Sequence, residues 1–300
     1  MRDLSPTDRI ALVYAIALAA VAAQCGARPP GLIPALASLA AAIVAIARFG
    51  SASRIGRVVH DFAPIALIPA LYGLSGPVVA AANPARWDPV LVALDRAWFG
   101  ALPAAWIGLW GRPPWLTEVA SLFYAAYYAI PIAIAIALYR GGRRAEFDSF
   151  VFAATATFLA SYVMYFMAPA DGPRLAHEAA VDGEALSPWL GAFLRTFEWN
   201  QLDAFPSGHT ALSLVYLVLG WRSFPRWRVA LLVITPGIIF ATVYLSLHYV
   251  VDLVAGAAVG LVMLPGAPAL HRLLVRDQRP SSNARHAPSA QPIRSKRPPR

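Results

Sequence analysis

Apolar stretches, each approaching the roughly 20 residues needed to cross the hydrocarbon of a bilayer, recur along the chain from end to end. No other feature so narrows what it can fold into. They run approximately over Arg9–Cys25, Gly31–Phe49, Val59–Ala82, Trp115–Tyr139, Phe147–Ala168, Gly208–Trp221, Val229–Leu247 and Val250–Leu274. In hydrocarbon every backbone N–H and C=O must be paired within the protein, so segments of this length are helices. The expected fold is all-α: a polytopic membrane protein of about eight transmembrane helices. Pro131 and Pro236 predict kinks. Ile10–Ala23 has no clear small-residue cleavage site and is read as a first span rather than a cleaved leader.

Charge gives the orientation. Only 14% of residues are charged and the net charge is +9, against about 25% charged in a soluble domain. The basic residues gather in alternate connections: Arg48, Arg54 and Arg57; Arg140, Arg143 and Arg144; Arg222, Arg226 and Arg228; and the tail after Arg272. Eight spans with both termini cytoplasmic put every one of these clusters inside. No basic domain interleaved with aromatics is present, so no nucleic-acid partner is expected. Cys25 is the only cysteine, which excludes an internal disulfide and a thiolate metal cluster.

Two long outer connections carry amphipathic segments. In WDPVLVALDRAWFG, Val90, Leu91, Leu94 and Trp98 share a helical face opposite Asp88 and Arg96. Between Ser187 and Trp199, Trp189, Leu190, Phe193, Leu194 and Phe197 do the same. Both are read as helices lying in the membrane interface. Residues 277–300 lack apolar residues to bury and are expected to form a disordered basic cytoplasmic tail. No protein partner is called for by any segment.

Ionisable groups near membrane depth are costly and mark functional sites. Three segments supply them: APADGPR at Ala168–Arg174, FPSGHT at Phe205–Thr210 and LHYVVD at Leu247–Asp252. Between His209 and His248 the chain makes one inward and one outward pass, so the threading places all three segments on the outer face. Ser207 fits a helix N-cap, Gly208 allows close backbone approach, and the free amides of a first helical turn bind anions. His248 and Asp252 are four apart, so a helix stacks them on one face. A carboxylate accepting one ring N–H would leave the other nitrogen as a lone-pair nucleophile. A structural His–Asp pair, or a metal held by His209, His248 and Asp252, is the competing reading of these residues alone. The guanidinium of Arg174, on a stiff Gly-Pro connection, suits two phosphate oxygens. His60, His177, His271 and His286 belong to no motif.

Taken together, FPSGHT followed by LHYVVD resembles the type 2 phosphatidic acid phosphatase superfamily. The resemblance covers roughly Trp115 to Leu274 and implies a six-helix phosphatase-like core. On that basis residues 1–58 hold two extra N-terminal transmembrane helices and residues 59–276 form the membrane-embedded core. The resemblance implies that His248 is the nucleophile, Asp252 its orienter and His209 the general acid. Ser207 and Gly208 would bind phosphate together with Arg174. The family's first-motif lysine is missing, and Ala241 and Thr242 stand where Ser-Arg is usual. That pattern, the Tyr124/Tyr127/Tyr128 face and WDPVLVALDRAWFG are similar to the inositol phosphorylceramide synthase branch, whereas Gly208 is the residue of ordinary phosphatases.

The implied activity is metal-independent and cofactor-free: displacement at a lipid phosphate ester on the outer membrane face, through a phosphohistidine. It leans toward transfer to a polyol, with simple hydrolysis of a lipid phosphate or isoprenyl pyrophosphate as the alternative. Asp171, Asp203 and Tyr124 are candidate contacts for a head group or acceptor. A transporter would instead place ionisable groups along the inner halves of the spans and show an internal repeat, and neither is seen.

Overall fold

The computed structural model describes residues 4–109, 111–173 and 202–276, together with Pro188, Trp189, Ala192, Thr196 and Asn200. Three readings made above lie outside these residues: Arg174, most of the Ser187–Trp199 segment, and the tail 277–300. The described residues form helices and connections, with no strand among them.

The helices are α1 (Pro6–Gln24), α2 (Leu32–Phe49), α3 (Arg54–Phe62), α4 (Pro64–Ala82), α5 (Asp88–Phe99), α6 (Pro103–Leu109), α7 (Pro114–Arg140) and α8 (Arg144–Tyr165). After the 174–199 stretch come α9 (Gly208–Ser223), α10 (Arg228–Tyr244) and α11 (Val250–Arg276). Their ends follow local chemistry. Ser5 and Asp8 close a capping box at the start of α1. Ser53 caps α3, and prolines occupy the first turns of α1, α4, α5 and α7, where their missing N–H costs nothing.

Seven helical stretches among the described residues are long and apolar enough to cross a membrane: α1, α2, α3 with α4, α7, α8, α10 with the short turn before it, and α11. That fits an integral membrane protein. Eight were expected. The sixth expected span is α9, a helix of 16 residues, hence about 24 Å long at 1.5 Å per residue, short of a hydrocarbon core of about 30 Å.

Helix α8 is the central post: 61% of its apolar window is buried, and α1, α4, α7, α9 and α11 all pack on it. Helices α9 and α11 approach closely, for a reason written in α11. A Cβ on Gly256 would meet the Ser207 carbonyl oxygen at 2.3 Å, and one on Gly260 would meet the Ala211 carbonyl oxygen at 2.8 Å. Two glycines four apart thus let the backbones touch, as small residues do between membrane helices. The contact is sealed where Ser207 N–H donates to the Asp252 carbonyl (3.0 Å). It joins the FPSGHT and LHYVVD segments.

Helix α5 lies across the start of α11. Trp87, Val90, Leu94 and Trp98 face outward and are 38–51% exposed, which suits an interfacial helix. Its opposite face is not solvated. Leu91 and Asp95 are buried, and that face holds the site.

Candidate active site

The site sits where the start of α9 meets the turn between α10 and α11. Phe205–Pro206 is a cis bond, after which Ser207 adopts extended backbone and caps α9, its Oγ accepting from Thr210 N (3.2 Å). Thr210 Oγ1 also donates to Ser207 Oγ (3.2 Å). The N–H groups of Gly208 and His209 then belong to the first helical turn, where the helix itself offers no acceptor. Amides so placed can bind an anion. Gly208 is tightly seated, since a Cβ there would meet the Tyr165 hydroxyl at 3.1 Å.

His209 and His248 meet. Their Nδ1 and Nε2 atoms are 3.3 Å apart. His248 Nδ1 donates to the carbonyl of Ala204 (2.8 Å). A carbonyl only accepts, so the proton is on Nδ1 and the Nε2 facing His209 carries the lone pair. Asp252 stands beside this arrangement: its Oδ2 is 3.4 Å from His248 Nδ1 and accepts from Tyr249 N at 2.8 Å. The ring N–H was expected to go to Asp252; the structure gives it to Ala204. The physical reason is the first turn of α11. There the carboxylate turns back to satisfy a free amide of its own helix, as acidic residues do at N-termini.

Three tyrosines of α7 enclose His209. The ring of Tyr127 lies 4.2 Å from the imidazole, Tyr124 4.8 Å and Tyr128 6.4 Å, centroid to centroid. Among the described residues, the buried Tyr124 hydroxyl and His209 Nε2 have no hydrogen-bond partner. Both are available to a ligand. Asp203 accepts from Tyr72 (2.5 Å), and Asp171 pairs with Arg86 at 3.4 Å, so both candidate acceptor contacts are engaged with neighbouring side chains. Among the described residues no three His, Cys, Asp or Glu side chains converge as metal ligands.

Sequence reasoning missed the groups that hold this site in place. Asp95 of α5, 1% exposed, accepts from Val250 N and Val251 N at 2.9 Å each. It caps α11 from another helix, two residues past His248. Burial pushes its carboxyl above the usual range, while the two amides pull the other way. Asp88 accepts from the amides of Asp171 (3.0 Å) and Gly172 (2.9 Å) and from the Tyr249 hydroxyl (3.1 Å). Burial, together with that carboxylate, raises the Tyr249 hydroxyl and keeps it a donor. Arg112 donates to the Ala104 carbonyl (2.9 Å) and to Ser246 Oγ (3.1 Å), tying the connection before α7 to the turn that bears His248. The only signal available was the spacing of Asp88 and Asp95, seven apart and so on one helical face.

His60, which belongs to no motif, lies elsewhere, paired with Asp8 at 3.0 Å. His271 packs on Phe152 (4.9 Å).

Residues 89–265 match the family model of the PAP2 superfamily. The chain belongs to the PAP2 superfamily. Its members are generally phosphatases. The match begins within α5 rather than at Trp115, one residue after Asp88, and includes Asp95. Helices α1–α4 lie before the matched residues. No curated protein and no solved structure gives a significant match.

Proposed function

We propose that this protein cleaves a lipid phosphate ester with His248 as nucleophile and His209 as proton carrier. One observation carries the reading: His248 Nε2, its lone pair set by the Nδ1–Ala204 bond, lies 3.3 Å from His209 Nδ1 in a part-buried site. A phosphoryl group entering between them replaces that contact and meets a nucleophile on one side and an acid on the other. In the first step Nε2 attacks phosphorus, the bond to the lipid oxygen breaks, and His209 gives that oxygen a proton. In the second, His209 takes a proton from water or an alcohol, whose oxygen displaces Nε2. The Gly208 and His209 amides, capped by Ser207, and Arg174 hold the equatorial oxygens as their charge grows. Asp252, a buried carboxylate 3.4 Å from the ring, balances the positive charge that His248 acquires.

The finer reading is transfer of a phospho-head group to a polyol, as in the inositol phosphorylceramide synthase-like branch. The uncharged Ala241 and Thr242 support it, because a diester carries less charge to neutralise than a monoester. In this reading α9 completes an eighth crossing, with residues 1–58 as an accessory pair of spans and 59–276 as the core. Both termini then lie inside and the site outside.

Purified protein given a phosphate-labelled lipid, with and without inositol, tests both levels. Free phosphate regardless of inositol means hydrolysis, and a labelled inositol phosphate means transfer. His248→Ala is expected to abolish either and leave no acid-labile phosphoprotein. A fully active His248→Ala protein rules the mechanism out.

A further inference from the structure

A cavity of about 410 Å³ opens beside His209 and runs down the bundle between α4, α7, α8 and α9. At the site end it is bordered by Tyr72, Asp203 and His209. At the far end lie Pro64, Phe150 and Ala154. Along α8 it spans Tyr165 to Phe150, about 22 Å at 1.5 Å per residue. Tyr72, Asp203 and His209 are polar at the histidine end, and the deeper walls are aliphatic and aromatic apart from the hydroxyls of Thr155 and Tyr216. Helices α4 and α7 both pack on α8 rather than extensively on each other, and the cavity lies among them.

We infer that this cavity takes the hydrocarbon tail of the lipid as a single extended chain, with the ester oxygen at His209, and that the residues at its far end set the preferred chain length. This inference rests on the proposed function for the role of His209. Its occupant follows from shape and chemistry: long, narrow, apolar and continuous with the proton donor. Since His209 protonates the leaving oxygen and the cavity begins at His209, the group that departs is the one bearing the tail. The phosphorus–oxygen bond to the lipid breaks, the proton from His209 goes to that oxygen, and the product is a lipid alcohol. Tail burial inside the protein replaces contact with lipid, so selectivity arises from fit: a chain longer than the cavity must fold or leave its end outside.

Two measurements on the full-length protein test this. In the first, a homologous series of single-chain alkyl phosphates is supplied as aqueous monomers to protein freed of detergent micelles. With chains presented from water, kcat/KM rises by up to about four-fold per methylene, then levels off once the chain reaches the far end. Ala154→Leu moves that plateau to shorter chains and leaves the shortest members unchanged. The second needs no catalysis. Ala154→Cys in a Cys25→Ser background carries one thiol, at the deep wall. A long alkyl phosphate slows its reaction with an apolar thiol reagent by about ten-fold when present at roughly ten times its Kd, and a short one does not. The same protection is expected with His248→Ala added. Phosphate release without chain-length plateau or thiol protection overturns the cavity's role and leaves the activity standing. Protection without phosphate release upholds the cavity and removes the proposed activity.

Discussion

Asp95 holds α11 from outside the helix, and removing its carboxylate tests whether that grip places His248. In Asp95→Ala two buried amides, Val250 and Val251, lose acceptors that sit at 2.9 Å. Each unsatisfied buried N–H costs about 1–3 kcal/mol, giving a gross loss of about 2–6 kcal/mol. Burial holds the carboxyl above its ordinary range, so relief of its desolvation offsets part of that loss. A net loss of about 2–3 kcal/mol is expected. His248 is two residues from the capped turn, and a shift of about 1 Å in the nucleophile lowers turnover by about 10²-fold. Asp95→Asn keeps one acceptor oxygen but turns an NH₂ group toward the other amide, and is expected to fall between. The assay pairs thermal unfolding in detergent with kcat and KM on a lipid phosphate, and kcat is expected to fall while KM holds. A raised folded pKa stabilises below the unfolded carboxylate value of about 3.9 and loses that contribution as pH rises through the folded value. Asp95→Asn should therefore remove a fall in stability over that acidic window. Wild-type turnover and wild-type melting in Asp95→Ala would refute the idea that this carboxylate positions the site.

Gly256→Ala places a Cβ 2.3 Å from the Ser207 carbonyl and should cost about 1–3 kcal/mol by overpacking, with loss of turnover. Gly266→Ala, whose Cβ meets nothing within 4 Å, should leave both unchanged in the same melting and turnover assays. Asp88→Ala releases the Asp171 and Gly172 amides and the Tyr249 hydroxyl together, so its effect on kcat should exceed that of Tyr249→Phe, which loses one bond worth about 0.5–1.5 kcal/mol. Tyr216→Phe deletes a buried hydroxyl that has no partner among the described residues, and its melting temperature should match or exceed that of the wild type.

Much of the fold was legible because a bilayer turns a tertiary constraint into a local one. Each crossing needs its own apolar run and must satisfy its own backbone, so a helix was foreseen within each of the eight apolar runs. Seven of those helical stretches are long enough to cross by themselves, and α9, with 16 residues, is the shorter one. The motif chemistry was equally local. Ser207 caps the helix that presents Gly208 and His209, and the four-residue step from His248 to Asp252 follows from helical periodicity.

Sequence alone determined that helices of this kind would form, and which two histidines would end near each other. It could not assign the proton on His248, because that depends on the Ala204 carbonyl 44 residues earlier in the chain. Nor could it show that Asp88 and Asp95 turn inward rather than to water, since their partners are amides more than 80 residues away. The α9–α11 contact through Gly256 and the cavity between α4, α7, α8 and α9 are likewise properties of surfaces brought together. A hydrogen bond between distant segments, or a void between four helices, leaves no periodic mark on any one of them, so only the packed bundle decides it.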